Sequence, residues 1–191
     1  MPIDMNSTTT RATLGAILLL VGLAVGWFGH KAIDGRPDIA TVSLYQDWRL
    51  ACPPTSQADG SCEMQQDVLD AKTHSELARL SIFRLKDDNT LLITVPYNVL
   101  LEPGLGLGVG NDKPLVYQYE TCNGVGCIVR VKLDDALRDS LGKTTQARVL
   151  FAGLDGKPVG LPFSIKGFTE AAAAFDSAEA QRHSWWRRLW S

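Results

Sequence analysis

Hydrophobic and polar positions divide the chain into three regimes. From Ala12 to Phe28, ATLGAILLLVGLAVGWF, no charge interrupts an apolar run bounded by Arg11 and by His30-Lys31. As a helix this run would extend roughly 25 Å, just short of a typical hydrocarbon core, with Trp27 suited to the headgroup level. From Thr41 the pattern changes to short runs rich in Val, Ile, Leu and Tyr, divided by turn residues. Val42–Ala51, Cys62–Val68, Leu77–Leu85, Thr90–Val95, Thr145–Ala152 and Val159–Ile165 read as strands. The third regime is the end of the chain, HSWWRRLWS, where Trp185, Trp186 and Trp190 surround Arg187 and Arg188. Aromatic and basic residues so mixed suit a membrane interface or a partner surface.

The central pattern is Lys113–Leu133, KPLVYQYETCNGVGCIVRVKL. Two β-rich runs flank Asn123-Gly124-Val125-Gly126, whose asparagine and glycines tolerate the positive φ of a reversal. The expected structure is a β-hairpin closed by Cys122 and Cys127. Its faces conflict, however. Setting Cys122 opposite Cys127 puts polar Gln118 and Glu120 in phase with apolar Val129 and Val131, so a one-residue bulge or an offset pairing is expected. Asp134–Leu141, DDALRDSL, has an acidic start and a Gly142 stop and predicts a short helix. Lys166–Phe175 predicts a second helix that docks Phe168 and Phe175.

These elements predict a mainly β protein: an antiparallel immunoglobulin-like β-sandwich with short helices, preceded by a single N-terminal transmembrane helix. The expected boundaries are a disordered cytoplasmic lead at 1–11, the anchor or a signal peptide at 12–29, and a linker at 30–41. The domain at 42–176 and the Trp/Arg tail at 177–191 complete the chain. Cleavage would use the small residues Ala24 and Gly26. Against it, the apolar run continues through Trp27 and Phe28 with no polar region before the cut. Gly22 and Gly26 form a small-xxx-small pattern that could pack on another membrane helix.

Composition narrows the chemistry. The chain has 191 residues and a formal charge of -2, with acids and bases interspersed, which leaves no electrostatic footprint for nucleic acid. Its four cysteines fall as two local pairs, Cys52/Cys62 and Cys122/Cys127, with nine and four intervening residues. Proximity favours two local disulfides; zinc-ribbon spacing fits poorly, and a redox-active pair would need a C-x-x-C at a helix start. Disulfides require an oxidising compartment, so the domain is expected outside the cytoplasm, although Arg11, Lys31 and Arg36 leave the charge rule undecided. The glycines of Pro96–Gly110 lack the lysine and helix start of a phosphate loop. His74 stands in a polar loop, Asp134-Asp135 at a helix start and Asp87-Asp88 in a turn, so no catalytic set or metal site is expected.

Several of these pieces together resemble the invasion-associated locus B family. They are Asp47-Trp48, Cys52, Cys62, Val95-Pro96 with Leu101-Glu102-Pro103-Gly104, the Cys122–Cys127 turn, and Leu161-Pro162-Phe163-Ser164-Ile165-Lys166-Gly167-Phe168 with Ala171. The resemblance covers roughly Ser43–Phe175. It implies a β-sandwich exported by Gram-negative bacteria with both cysteine pairs oxidised, and it carries over no catalytic residues. The functional expectation is a non-enzymatic, membrane-anchored periplasmic interaction module without cofactors or a small-molecule substrate. Its partners would be the inner membrane and protein, including other membrane helices, as for an accessory subunit of an inner-membrane complex. The alternative is an exported surface or virulence-type factor, as the family name suggests. A thiol oxidoreductase is a third class, which free thiols would favour.

Overall fold

The computed structural model describes residues 15, 17–26, 39–57 and 60–183. Residues 1–38 and 39–191 are separate units. In the first, residues 17–26 form a helix, α1. Its apolar side chains, among them Ile17, Leu18, Leu20, Leu23 and Val25, are exposed. Gly22 and Gly26 lie one turn apart with open space beside each. Among the described residues, no helix is long and apolar enough to cross a membrane. The ten residues of α1 span about 15 Å, and the rest of the expected anchor, Trp27 and Phe28 included, lies outside the described residues.

Alternating apolar positions build the domain. Its larger sheet has seven antiparallel strands in the order β1-β2-β3-β4-β5-β9-β8. These are β1 (Thr41–Tyr45), β2 (Trp48–Cys52), β3 (Glu63–Leu69), β4 (Glu76–Leu85), β5 (Asp88–Val95), β8 (Thr121–Asn123) and β9 (Gly126–Lys132). The smaller sheet runs β11-β10-β6-β7, from β6 (Leu105–Val109), β7 (Leu115–Tyr117), β10 (Ala147–Ala152) and β11 (Pro158–Phe163). Register places Leu50, Met64, Ile82, Leu91 and Val131 in one row across five strands. All five are buried, and Leu107 and Val149 of the smaller sheet belong to the same core. A slip of one residue would turn that whole row to solvent, which is how the period-two pattern fixes the pairing.

Four differences from the expected architecture have local causes. The run Val42–Ala51 is not one strand but a hairpin, with Tyr45 paired to Trp48 and Gln46 at φ 53. The strand order is not immunoglobulin-like. Here β1 to β5 pair consecutively in one sheet, whereas an immunoglobulin domain sends its third strand to the second sheet. Cys122 pairs directly with Cys127, with no bulge or offset. The phase conflict disappears because the incoming run splits: Leu115–Tyr117 joins β6 in the smaller sheet, and only Thr121–Asn123 pairs with β9. Finally, Gly142 does not end α2 (Asp135–Lys143), which Asp134 caps by accepting from the Leu137 amide at 2.8 Å.

The glycine-rich stretch has a packing explanation. Leu105 and Leu107 point into the core, while Gly106 and Gly108 alternate with them. A Cβ at Gly106 would meet Leu150 at 3.4 Å, and one at Gly108 would meet Arg148 at 3.1 Å. The two cross-strand side chains therefore lie over bare backbone. Helix α3 (Phe168–His183) packs against β1, β2 and β3 and buries Phe168, Ala171 and Phe175. It continues past the expected end at Phe175 for two further turns.

Candidate functional site

The domain has a distinct structure at each end of the larger sheet. At one end Thr41 pairs with Cys52, and Cys52 is bonded to Cys62 with a Cα separation of 4.2 Å. At the other end Val95 pairs with Cys127, which is bonded to Cys122 with a Cα separation of 4.0 Å. Both expected disulfides are therefore present, and no described cysteine is free. Four sulfurs so engaged offer neither zinc ligands nor an attacking thiolate.

The Cys52–Cys62 end is held by the last turns of α3. Glu179 is fully buried and accepts from the Cys62 amide at 2.6 Å and from the Ser61 hydroxyl at 3.3 Å. Arg182 donates to the carbonyls of Pro53 (2.8 Å), Gln57 (2.6 Å) and Gly60 (2.8 Å), with longer contacts of 3.4 Å to Pro54. One planar guanidinium thus ties down a loop whose carbonyls have no strand partner. Sequence reading missed both residues. Their only signal is an acid and a base three positions apart in an alanine-rich run.

The opposite end of α3 is fixed by a second cluster. Trp48 donates from Nε1 to the Ser164 carbonyl at 3.1 Å and meets the Phe168 ring edge-on at 5.3 Å between centroids. Gln66 accepts from the Ser164 amide and donates to the carbonyls of Asp47 and Ser164. Ser164 Oγ donates to Asp47 Oδ2 at 2.5 Å. Gly167, at φ +79, lies against the Tyr45 carbonyl so closely that no Cβ fits. Asp47, Trp48, Ser164, Gly167 and Phe168, far apart in sequence, therefore form one clamp. Its buried atoms are satisfied by each other, a structural role rather than a reactive one.

The remaining candidates are surface features. Edge strand β1 exposes Val42 and Leu44, at 63% and 75%, on the outer face of the larger sheet. Beside them runs a polar chain in which Arg49 donates to Gln65, Gln65 donates to Asp67, and Arg79 bridges Asp67 and Glu76. The hydrogen bond from Arg79 to Asp67 raises the guanidinium pKa further. His74 lies in an exposed turn at φ 55. Asp70 organises that turn, and the amides of Thr73 and Lys72 hold its carboxyl below the usual range. A cleft of about 200 Å³ between Thr145–Arg148 and Pro162-Phe163 is smaller than a typical ligand pocket. Among the described residues, no group of three or more His, Cys, Asp or Glu side chains is placed to hold a metal. Trp185, Trp186, Arg187, Arg188 and Trp190 lie outside the described residues.

The family model for invasion associated locus B (IalB) protein matches residues 48–176. The crystal structure of invasion associated protein b from Bartonella henselae is similar at a TM-score of 0.64 and 18% identity, over 73% of this chain and 98% of that one. At that identity the likeness is one of fold. No curated protein matches the chain.

Proposed function

Because the chain belongs to the invasion associated locus B family, we propose that it is a non-enzymatic interaction module. In this reading residues 12–28 anchor it in an inner membrane, and the domain stands in the periplasm as an accessory subunit of a membrane protein complex. The observation that carries the reading is the pairing of an uncharged apolar run with a domain closed by two disulfides. Disulfides persist in oxidising compartments, and an apolar run of this kind, retained, holds the domain at the membrane where it emerges. The exposed apolar side chains of α1 are consistent with a lipid or helix environment, and Gly22 and Gly26 offer a close-approach face. The outer edge of β1, unpaired among the described residues and with Val42 and Leu44 exposed, is the surface for a protein partner.

Carbonate extraction of native membranes tests the anchor: the protein stays in the pellet with residues 12–28 attached. A soluble chain beginning near Trp27 would overturn it. Purification in mild detergent tests the module, which should bring down membrane proteins in fixed stoichiometry. Replacing Val42 and Leu44 by Ser should release them. A protein that purifies alone at native abundance sinks the accessory-subunit reading. The second reading, an exported surface factor, is suggested by the name of the family and by that of its structural relative, an invasion associated protein. It requires loss of roughly the first 26 residues, as a cut after Gly26 would give, visible as a lower intact mass.

A further inference from the structure

The sequence contains one asparagine–glycine pair, Asn123-Gly124, and the fold places it at the exposed tip of the hairpin between β8 and β9. Asn123 pairs with Gly126, and of the tip residues only Gly126 has a positive φ, 144. The asparagine side chain folds back over the turn, where its Oδ1 accepts from the Val125 amide at 3.1 Å. That bond draws electron density from Cγ and holds the carboxamide over the next peptide. The Gly124 amide nitrogen lies in that peptide and, among the described residues, has no hydrogen-bond partner. Nothing stands within 4 Å of where a Gly124 Cβ would be. A polarised carbon, an untied nitrogen and an unshielded approach therefore coincide at one bond.

Other side chains in the domain lack one or more of these features. Asn89 precedes β-branched Thr90, which is buried and paired in β5. Asn98 precedes Val99, also β-branched and buried, whose amide donates to the Tyr97 carbonyl at 2.9 Å. Asn111 precedes Asp112 rather than glycine. Asp155-Gly156 is the closest parallel, for Asp155 Oδ1 accepts from the Lys157 amide at 3.1 Å in the same kind of turn. There, however, the Gly156 amide is tied to the Gly153 carbonyl at 2.9 Å. The Lys157 hydrogen bond also holds the Asp155 carboxyl below its usual range, and an ionised carboxylate resists addition.

We propose that Asn123 is a site of spontaneous deamidation, with water as the co-reactant. The Gly124 nitrogen gives up its proton to water and attacks Asn123 Cγ. The new C–N bond closes a cyclic imide as the bond from Cγ to Nδ2 breaks, and Nδ2 leaves as ammonia with the proton returned. Water then opens the imide. Attack at Cγ restores the chain as aspartate, and attack at the backbone carbonyl carbon leaves the chain running through Cγ as isoaspartate. Either product puts a negative charge beside exposed Val125. The isoaspartate also lengthens the backbone by one atom and so disturbs the pairing with Gly126. The Cys122–Cys127 bond stands just behind the altered residue and keeps the two strands joined, so the change remodels the tip without opening the hairpin.

The test holds the full chain, in mild detergent and mildly alkaline buffer made with heavy-oxygen water, and maps its peptides by mass spectrometry over time. The expected result is that the Asn123 peptide loses its amide, takes up heavy oxygen and yields two separable products, with isoaspartate in excess. Asn89, Asn98, Asn111 and Asp155 should stay unchanged over the interval in which most of Asn123 converts. Gly124→Ala, for which the tip has room, should lose most of that conversion, because a Cβ narrows the approach of the nitrogen. If Asn123 keeps its amide in the folded chain while the unfolded, reduced chain converts, the fold protects the pair and the proposal fails. Conversion of Asn98 or Asn111 at the pace of Asn123, or of Gly124→Ala at the pace of the parent, overturns it equally.

Discussion

Replacement of Gly167 by alanine is the sharpest perturbation of the fold. Gly167 sits at φ +79, where an L side chain is strained by about 1–2 kcal/mol. Its Cβ would fall 2.6 Å from the Tyr45 carbonyl carbon and nearer still to the oxygen, with Gln46 Cβ at 3.1 Å. These are backbone and near-backbone atoms of a tight hairpin, so they cannot swing aside as a side chain would. Relief requires residues 164–168 to retreat from Tyr45. That movement pulls on the bond from Trp48 to Ser164, the two Gln66 bonds to Ser164 and the edge contact with Phe168. At about 1 kcal/mol for each partly lost bond, the strain and the loosened clamp together cost on the order of 4 kcal/mol. For a domain of this size that corresponds to a fall in Tm of roughly 10–15 °C. Near-ultraviolet circular dichroism is the assay, because Trp48 is the aromatic centre of the clamp. Gly124→Ala is the comparison: its Cβ meets nothing within 4 Å, so its melting should hardly move. If Gly167→Ala melts within a few degrees of the parent, the contact with Tyr45 does not constrain the fold and the clamp argument fails.

Three other outcomes are expected. Replacing Cys122 and Cys127 together by Ser should cost about 2 kcal/mol and replacing Cys52 and Cys62 about 3 kcal/mol, following loop length; non-reducing peptide mapping that joined Cys52 to Cys122 would contradict both pairings. Arg182→Ala should lose about 2 kcal/mol and admit protease to residues 53–60, and Arg182→Lys should recover little, because an ammonium group cannot reach carbonyls spread around a plane. Unchanged cleavage of Arg182→Ala would show that the loop holds itself. Asp70 has a folded pKa below its ordinary 3.8, so its turn is fully formed above that value and is lost as pH falls through the lower folded pKa; amide exchange at Lys72 and Thr73 should rise there, and an Asp70→Asn protein should show no such pH step.

Much of the larger sheet is legible in the sequence because its signal is local. Alternation in Met64-x-Gln66-x-Val68 and in Leu80-x-Ile82 sets faces, and the turn Lys86-Asp87-Asp88-Asn89 sets register. The pairing of each cysteine with its sequence neighbour is legible for the same reason. The elements that sequence reading gets wrong depend on distant residues. Val42–Ala51 contains no glycine or proline, so the reversal at Gln46-Asp47 is visible only once Tyr45 meets Gly167. The departure of Leu115–Tyr117 to the smaller sheet depends on β6 being glycine-rich and open to a neighbour. Glu179 and Arg182 find partners 117 to 129 positions away, beyond any periodicity. Edge apolarity at Val42 and Leu44 is in plain view, but a single strand merging β1 with β2 hides that these side chains face outward.

The family match is shorter than the folded domain. The matched segment starts at Trp48 and stops at Asp176, which leaves out β1 on one side and the last two turns of α3 on the other. Those two omitted pieces lie at the same end and side of the domain, for α3 packs on β1 as well as β2. The match does include Trp48, Gln66, Ser164 and Phe168, while Tyr45 and Asp47 of the same clamp lie just before it. Glu179 and Arg182 lie beyond it, although they fix the Cys52–Cys62 loop that falls inside it. A boundary at 176 therefore cuts a continuous helix, and the folded domain extends to His183. At that end of the domain lie an edge strand with apolar side chains outward and a helix end locked to a disulfide loop.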